Sequence, residues 1–440
     1  MPRRAARFIP FLLPTGHCRS PSLPCGRVTA AVVIVFAIVY LGMILGGLPF
    51  LQLDRTGIAL LGAIALVATG DVSLEEAGRS IHAPTLILLF AFMVLSAQLR
   101  LSGFYAFVTY RLATLPLAAP RLLGALILVV GALSAVFSND IICLAMAPVL
   151  MDACINRRLD PVPYLLALAC AANIGSALTL IGNPQNMLIG ETLRLSFGGY
   201  LLAAAVPVLL GLAVTWGLIV YQVGGRWECP ASVLTTQAAP ERREEGPPDF
   251  NRWQTMKGLT VATVLVVVFL TVPWPRELAA LAGAGLLLLS RRLHSRRMLG
   301  LVDWELLVLF VGLFVVNHAF QQTGLTAKAV RALADAGLHL EQPGTLFVTA
   351  FVLSNIVSNV PAVMLLLPLV TDSQGGTLLA LASTLAGNLM IVGSIANIIV
   401  MDAAERRGLR IDWRRHARIG VPVTVATLVI SGAYLWLRHS

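Results

Sequence analysis

Two Ser-Asn pairs sit in the middle of long apolar segments: Ser138-Asn139 within ALSAVFSNDIICLAMAP and Ser358-Asn359 within FVLSNIVSNVPAVMLLLP. Each is followed ten residues later by a proline, Pro148 and Pro368. Two further polar interruptions follow, Gly182-Asn183-Pro184-Gln185-Asn186 and Gly393-Ser394-Ile395-Ala396-Asn397. Inside hydrocarbon a non-helical backbone survives only where it is buried in protein or lines a cavity. A helix that stops and restarts there frees carbonyls at one end and N–H groups at the other. Carbonyl, Asn and Ser oxygens suit a small cation, and N–H groups at the positive end of a helix dipole suit an anion. A single Asn would read as interhelical packing. Paired interruptions at matching places favour a binding site made of Ser138, Asn139, Gly182, Asn183 and Asn186 from one half and Ser358, Asn359, Gly393 and Asn397 from the other.

Asp140 is the sharpest single residue. A carboxylate within an apolar span costs at least about 2.5 kcal/mol, so a functional acid is expected there, holding a coupling cation or carrying a proton. It would also suit the N-terminus of the second hairpin helix. Its counterpart is Val360, which makes the two halves chemically unequal. Asn173 and Asn388 precede the interruptions by about two turns and one turn and are expected to support them. Glu191, Asp303, Glu305, His318 and Asp402 lie near span ends and read as interfacial anchors or salt-pair members. Cys143, Cys154 and Cys170 have no pairing or metal-ligand spacing and read as small apolar fillers. No metal is expected beyond Na⁺.

The elements that must carry these residues follow from composition. The 440 residues are 57% hydrophobic and 12% charged, about half the charged share of a soluble domain. Many apolar stretches approach the roughly 20 residues that cross a bilayer, so the chain is a polytopic all-α membrane protein. The net charge of +10 does not signal nucleic acid, because the arginines fall in short connections between apolar stretches, as the positive-inside rule expects. Lys257 and Lys328 are the only lysines among 32 basic residues, a bias that hints at a GC-rich bacterial genome. The expected location is the bacterial inner membrane.

The landmarks recur in order. RTGIALLGA from Arg55 matches RELAALAGA from Arg276, Leu88-Leu89-Phe90 with Gly103 matches Val308-Leu309-Phe310 with Gly324, and the tips and interruptions follow. Residues 1–27 form a basic tail, 28–221 a first membrane repeat, 222–256 a cytoplasmic linker containing APERREEGPPDF, and 257–440 a second repeat. Each repeat should hold five transmembrane helices, one of them broken, with a re-entrant hairpin. The first has spans at about 30–50, 56–70, 84–101, 163 onward and 198–221, with its hairpin at 122–153. The second has spans at about 257–272, 276–290, 304–321, 377 onward and 419–438, with its hairpin at 345–371. Phe104–Leu115 and Thr326–Gly337 read as helices lying along the interface. Five is odd, so the copies must be inverted. A cytoplasmic linker then also places Arg55, Arg157-Arg158 and the 406–418 arginines inside, and Arg79, Arg276, Lys328 and Arg331 outside. The same parity puts the tail, with Arg3, Arg4, Arg7, Arg19 and Arg27, outside. Either its start lies too early or a further N-terminal element is present.

On the paired Ser-Asn tips, LIGNPQN, AGNLMIVGSIAN and the two interfacial segments, the chain from about residue 30 onward resembles the ion transporter superfamily. Within it, the chain is most similar to the citrate-transporter-like group that includes arsenite permeases and divalent anion:sodium symporters. That resemblance implies a homodimer in the bilayer whose hairpins and broken helices move as a rigid body, an elevator mechanism. It also implies two half-sites for cation and substrate, one from Ser138, Asn139, Gly182 and Asn186 and one from Ser358, Asn359, Gly393 and Asn397. Dicarboxylate symporters of the group carry Ser-Asn-Thr at both tips. Asp140 and Val360 depart from that pattern, and neither tip has a Lys or Arg, which argues against a bare dicarboxylate.

The function expected is secondary active transport of a small inorganic or organic anion or weak acid, coupled to Na⁺ or H⁺, with no other cofactor. Alternatives are a Na⁺/H⁺ antiporter using Asp140, an arsenite efflux permease, and, from a different class, a passive channel. No His-Glu-x-x-His, Gly-x-Ser-x-Gly or catalytic aspartate pair supports an enzyme.

Overall fold

The computed structural model describes residues 25–48, 51–229, 249–290 and 292–439. The basic tail up to residue 24, the last two residues of the first expected span, the polar run 230–248 and Arg291 lie outside the described residues. The described residues are mostly helical, with a two-stranded antiparallel turn, Gly47–Leu48 with Leu53–Asp54, and an isolated bridge between Leu159 and Glu228.

The first half contains α1 (Cys25–Leu45), α2 (Arg55–Ala68), α3 (Leu74–Ser80), α4 (Ala83–Leu101), α5 (Phe104–Ala113), α6 (Ala119–Ser134), α7 (Asn139–Asn156), α8 (Pro161–Ser176), α9 (Pro184–Thr192) and α10 (Phe197–Val223). The second contains α11 (Arg252–Thr271), α12 (Arg276–Leu288), α13 (Ser295–Leu299), α14 (Trp304–Gln322), α15 (Leu325–Asp335), α16 (Pro343–Val357), α17 (Asn359–Leu366), α18 (Ser373–Ala386), α19 (Ile395–Glu405) and α20 (Trp413–His439). Among the described residues, α4, α7, α10, α11, α14 and α20 are long and apolar enough to cross a membrane unaided, and several others are shorter apolar helices. The chain is a multi-pass membrane protein.

Side-chain caps set many boundaries, as the four free N–H groups of a helix start require. Asp54, Asp160, Ser196, Asn251, Asp303 and Asp372 each accept a backbone N–H at the head of the following helix. Asp303 is thus a helix cap. Ser73 and Glu76 form a reciprocal capping box on α3. The first span begins earlier than its hydropathy suggests, at Cys25.

Two groups of helices pack mainly among themselves. In one, α2 lies along α14 and α4 along α12, with α1 against α2 and α14 and α11 against α12 and α4. The exchange is reciprocal, since the second span of each half packs on the third span of the other. In the other group, α6 packs on α8 and α16 on α18, α7 reaches α19, α17 reaches α9, and α10 pairs with α20. Gly103 and Gly324 join the third spans to α5 and α15 in the left-handed region, φ 77° and 71°, which glycine adopts without strain. Helix α5 packs against α7, with Tyr105 edge-on to Phe137, whereas α15 buries none of its residues. Cys143, Cys154 and Cys170 are buried and free.

The α6–α8 contact depends on two glycines. A Cβ on Gly175 would stand 2.4 Å from the Gly131 carbonyl oxygen and 2.5 Å from its Cα, and backbone cannot yield to it. Gly175→Ala should therefore destabilise the protein by about 1–3 kcal/mol, the usual cost of overpacking. Gly217→Ala, with nothing within 4 Å, should be neutral. Thermal unfolding of the two purified variants distinguishes them; equal melting temperatures would refute the close approach.

Candidate functional site

The two Ser-Asn tips are built differently. Helix α6 ends at Ser134, four residues turn, and α7 begins at Asn139 with Ser138 at φ −55°. Asp140 lies in the first turn of α7. In the second hairpin Ser358 alone separates α16 from α17, at φ 77° and ψ 160°. A non-glycine residue there stores about 1–3 kcal/mol of strain, a feature common where the chain serves a ligand or a switch.

The interruptions between α8 and α9 and between α18 and α19 share one pattern of carboxamide-to-carbonyl hydrogen bonds at an offset of 211 residues. The Asn186 carboxamide donates to the carbonyls of Ser176 and Thr179 at 3.4 and 3.1 Å. The Asn397 carboxamide donates to Gly387 and Met390 at 2.7 and 3.0 Å. These are the carbonyls that a broken helix leaves without partners. Asn183 caps α9 through the Asn186 N–H, and its amide reaches Ser176. Thr179 donates to the Ala135 carbonyl and so ties the first tip to the first interruption.

The halves also read each other. Thr384 donates to the Asn186 oxygen at 3.2 Å and accepts from Asn183 at 3.2 Å. At the matching position, Asn173 donates to the Asn397 oxygen at 3.1 Å and accepts from Ser394 at 2.8 Å. Asn173 does more, donating to the Asn388 oxygen at 2.9 Å and accepting from Asn139 at 3.1 Å. Both of its donor hydrogens and both oxygen lone pairs are used. His416, 1% exposed, contacts the Asn388 carbonyl through Nε2 at 3.1 Å.

What remains is a set of oxygens. The side-chain oxygens of Asn139 and Asn359, one oxygen each of Asp140 and Asn355, and the hydroxyls of Ser134 and Ser354 are buried without a hydrogen-bond partner. All six lie at the two tips. Leaving such a group unpaired costs about 1–3 kcal/mol, and six of the fourteen buried unpartnered side-chain atoms among the described residues fall at the two tips. Glycines give it room. A Cβ on Gly393 would come within 3.5 Å of the Asn355 oxygen, and one on Gly387 within 3.5 Å of the Asn359 amide nitrogen. A Cβ on Gly182 would stand 2.8 Å from the Ser134 carbonyl oxygen. The Asp140 carboxylate faces the Ala396 N–H at the head of α19, so an acid from the first half meets the dipole of a second-half helix.

The structure thus brings Asn139, Asn173, Asn388, Ser394 and Asn397 into one cluster, with Asn359 and Gly393 beside it. Asn183 and Asn186 join Thr384, Ser176 and Tyr200, whose hydroxyl accepts from Asn186 and donates to the Ala177 carbonyl. Thr384, Tyr200, Ser134, Ser354, Asn355 and His416 were not singled out by the sequence. Ser134 and Ser354 carried a usable signal, the repeated spacing Ser-x-x-x-Ser-Asn. Chemically, the unpartnered groups at the tips are acceptors or hydroxyls, with no Lys or Arg at either tip, while the Asn388 amide nitrogen and His416 Nδ1 behind them are also buried without a partner. Such a set suits a small cation, or a ligand that brings its own O–H donors.

A family model described as Citrate transporter (CitMHS) matches residues 32–378. The chain is 31% identical to the inner membrane protein YbiR of Escherichia coli, over 76% of this chain and 82% of that protein. It is 30% identical to a 46 kDa membrane protein of Mycobacterium leprae, over 88% and 95%. It is also 28% identical to the silicon efflux transporter LSI3 of Oryza sativa, over 90% and 95%. The fold is shared with the crystal structure of the YdaH transporter of Alcanivorax borkumensis at a TM-score of 0.54 and 15% identity, covering 94% of this chain and 97% of that one. The residues matched span both tips and the first interruption, and on that match this chain belongs to the citrate transporter (CitMHS) family of membrane transporters.

Proposed function

We propose that the protein is a secondary active transporter of a small weak acid or anion, coupled to Na⁺ or H⁺, in the bacterial inner membrane. The observation that carries this reading is the cluster of buried, unpartnered oxygens at the two tips. Such oxygens are costly when empty and are satisfied by a cation or by a hydroxylated ligand. Asp140 and the lack of a basic residue disfavour a bare polyanion there, because like charges repel strongly at short range. An uncharged oxyacid, whose hydroxyls donate to the tip oxygens, fits without that penalty. The relative named a silicon efflux transporter agrees with such a cargo, since dissolved silicon at neutral pH is an uncharged hydroxylated acid. Citrate would fit only with cations that offset its charge.

Asn186 and Asn397 have their carboxamides occupied by the chain itself, so their role in this reading is to hold the interruptions open. Direct contact with cargo or coupling ion then falls to Ser138, Asn139, Asp140, Asn355, Ser358 and Asn359. Gly182 and Gly393 supply the close backbone approach. The reciprocal contacts of the halves agree with inverted copies, and the division into two helix groups agrees with an elevator in which α6–α10 and α16–α20 move together. A Na⁺/H⁺ antiporter centred on Asp140 is the second reading, favoured by that residue's place at the head of α19.

Flux into proteoliposomes tests these readings. Saturable uptake of silicic or arsenous acid, driven by a Na⁺ or pH gradient and accelerated by cargo on the far side, is expected. Sodium-driven proton movement with no acid present would install the antiporter instead, and flux without exchange acceleration would indicate a channel. Asp140→Asn should lower coupled flux by at least about tenfold, equivalent to about 1.4 kcal/mol, and abolish its dependence on the driving gradient. An Asp140→Asn protein that keeps that dependence would remove Asp140 from coupling.

Asn359 and Asn397 should respond oppositely. Asn359→Ala gives up an oxygen that has no protein partner, so stability should hold while KM rises about three- to tenfold, the effect of one ligand hydrogen bond of roughly 0.5–1.5 kcal/mol. Asn397→Ala strips two interruption carbonyls of their donor, so it should lower the melting temperature. Reversed outcomes would exchange the two roles.

A further inference from the structure

The second spans of the two halves begin with the same residue, Arg55 at the head of α2 and Arg276 at the head of α12. Five residues after Asn186 stands Glu191, and five after Asn397 stands Asp402. The duplication therefore supplies two matched acid–base pairs, Glu191 with Arg276 and Asp402 with Arg55. Each would join the half-helix of one repeat to the second span of the other.

Only one pair is made. Arg276 Nε meets Glu191 Oε1 at 2.9 Å, with side-chain exposures of 13% and 9%, and Arg276 Nη2 donates to the Gly190 carbonyl at 2.9 Å. The counterpart is open. Arg55 Nε is buried without a hydrogen-bond partner, and Asp402 turns along its own helix to Arg406 at 2.9 Å, exposed by 52% and 77%. The surrounding packing divides the same way. Helix α9 packs on α4 and α17 on α14, while among the described residues α19 makes no comparable contact with α14, nor α7 with α4. The first interruption is buried, but around the second Met390, Val392, Ile395 and Ile398 are 41%, 58%, 46% and 39% exposed. The contacts that seal the Arg276 side are not made on the Arg55 side, which the arginine distribution makes the cytoplasmic side.

We infer that the two pairs are alternating latches. Arg276–Glu191 closes in the conformation seen here, and Arg55–Asp402 closes when the site faces the other way. The inference rests on the alternating-access reading of the transporter. A lone buried ion pair would bias the protein toward one conformation, because breaking it leaves a buried charge uncompensated. A matched pair that forms as the first one breaks offsets that bias and keeps both conformations populated, as turnover requires. The Asp402–Arg406 pair is an exposed pair one helical turn apart, the weak kind, and is readily given up. Arg55 supplies the complementary charge; its Nε, like Nη1 of the paired Arg276, is buried without a hydrogen-bond partner.

The test is a distance measurement. Spin labels go on Glu75→Cys in α3 and Arg194→Cys after α9, both exposed, in a transport-competent background lacking the native cysteines. Two distance populations are expected, one of them matching this structure. Glu191→Gln should deplete the matching population about tenfold, the change that losing about 1.4 kcal/mol produces. Asp402→Asn and Arg55→Gln should enrich it. Asp402 is exposed, so its variant carries the test even where Glu191→Gln fails to fold. Shifts in the same direction, or no shift, would overturn the latches, since an ion pair that merely stabilises the fold would lower the melting temperature without moving populations oppositely. One unmoving distance in transporting protein would instead defeat the alternating-access reading beneath them.

Discussion

A carbonyl left without a donor in hydrocarbon is the constraint on which the rest of this structure depends. Breaking a membrane helix exposes several at once, and each costs several kcal/mol unless satisfied from within the protein. Asn186 and Asn397 meet that cost by folding their carboxamides back onto carbonyls of the preceding half-helix. Once those amides are committed, their oxygens can only accept, and the donors come from the opposite repeat, Thr384 and Asn173. A local repair of the backbone is thereby also the interaction that binds the halves together. The tips hold no such repair, and six of their oxygens are buried without a partner.

Duplication gives the site its frame, and departures from duplication give it a direction. Asn173 and Thr384 occupy equivalent places, yet only a carboxamide can reach four partners, so only Asn173 extends to a tip, through Asn139. Asp140 faces the head of α19, while Val360 brings no charge to α9. Ser138 lies in an ordinary backbone region and Ser358 in a strained one. Each difference falls at a place where the repeats would otherwise be interchangeable, and together they make the first tip the more charged and the second the more strained.

Much of this was legible in the residues. The spans, both hairpins, both interruptions and the helices at Phe104–Ala113 and Leu325–Asp335 follow from apolar run length, parity and turn residues, and these are properties of local sequence. The pairing of polar side chains was less so. Asn388 looks like the counterpart of Asn173 because both are Asn, but the register set by the interruptions assigns Thr384 to that role, and the two offsets, 220 at the tips and 211 at the interruptions, conceal it. Asn186 and Asn397 look like ligands by residue type. Only geometry reveals that their polar atoms are occupied by the chain, because side-chain direction across a broken helix has no sequence period to betray it. Glu191 and Asp402 read alike as interfacial acids, and nothing in the residues distinguishes the buried, paired one from the exposed one. That distinction belongs to a conformation and not to a sequence.

The free oxygens and the ion pair on α9 are linked through one body. Helix α9 carries Asn186 at its first turn and Glu191 near its end, so whatever holds Glu191 to Arg276 also fixes the interruption against which Thr384 and Asn183 close. Helix α19 carries Asn397 and Asp402 with the same spacing, and it meets Asp140 at its head. A ligand that satisfies the tip oxygens and shields Asp140 therefore acts on the same short helix whose far end bears the unmade half of the second ion pair. Helix α9 spans nine residues and α19 eleven, and in each the asparagine and the acid lie about one and a half turns apart. Under the proposed transport reading, the short half-helices connect the tips with the arginines at the heads of α2 and α12. An interrupted helix is required for this, since an unbroken span would deliver neither the backbone carbonyls that Asn186 and Asn397 hold nor a helix start beside the tips.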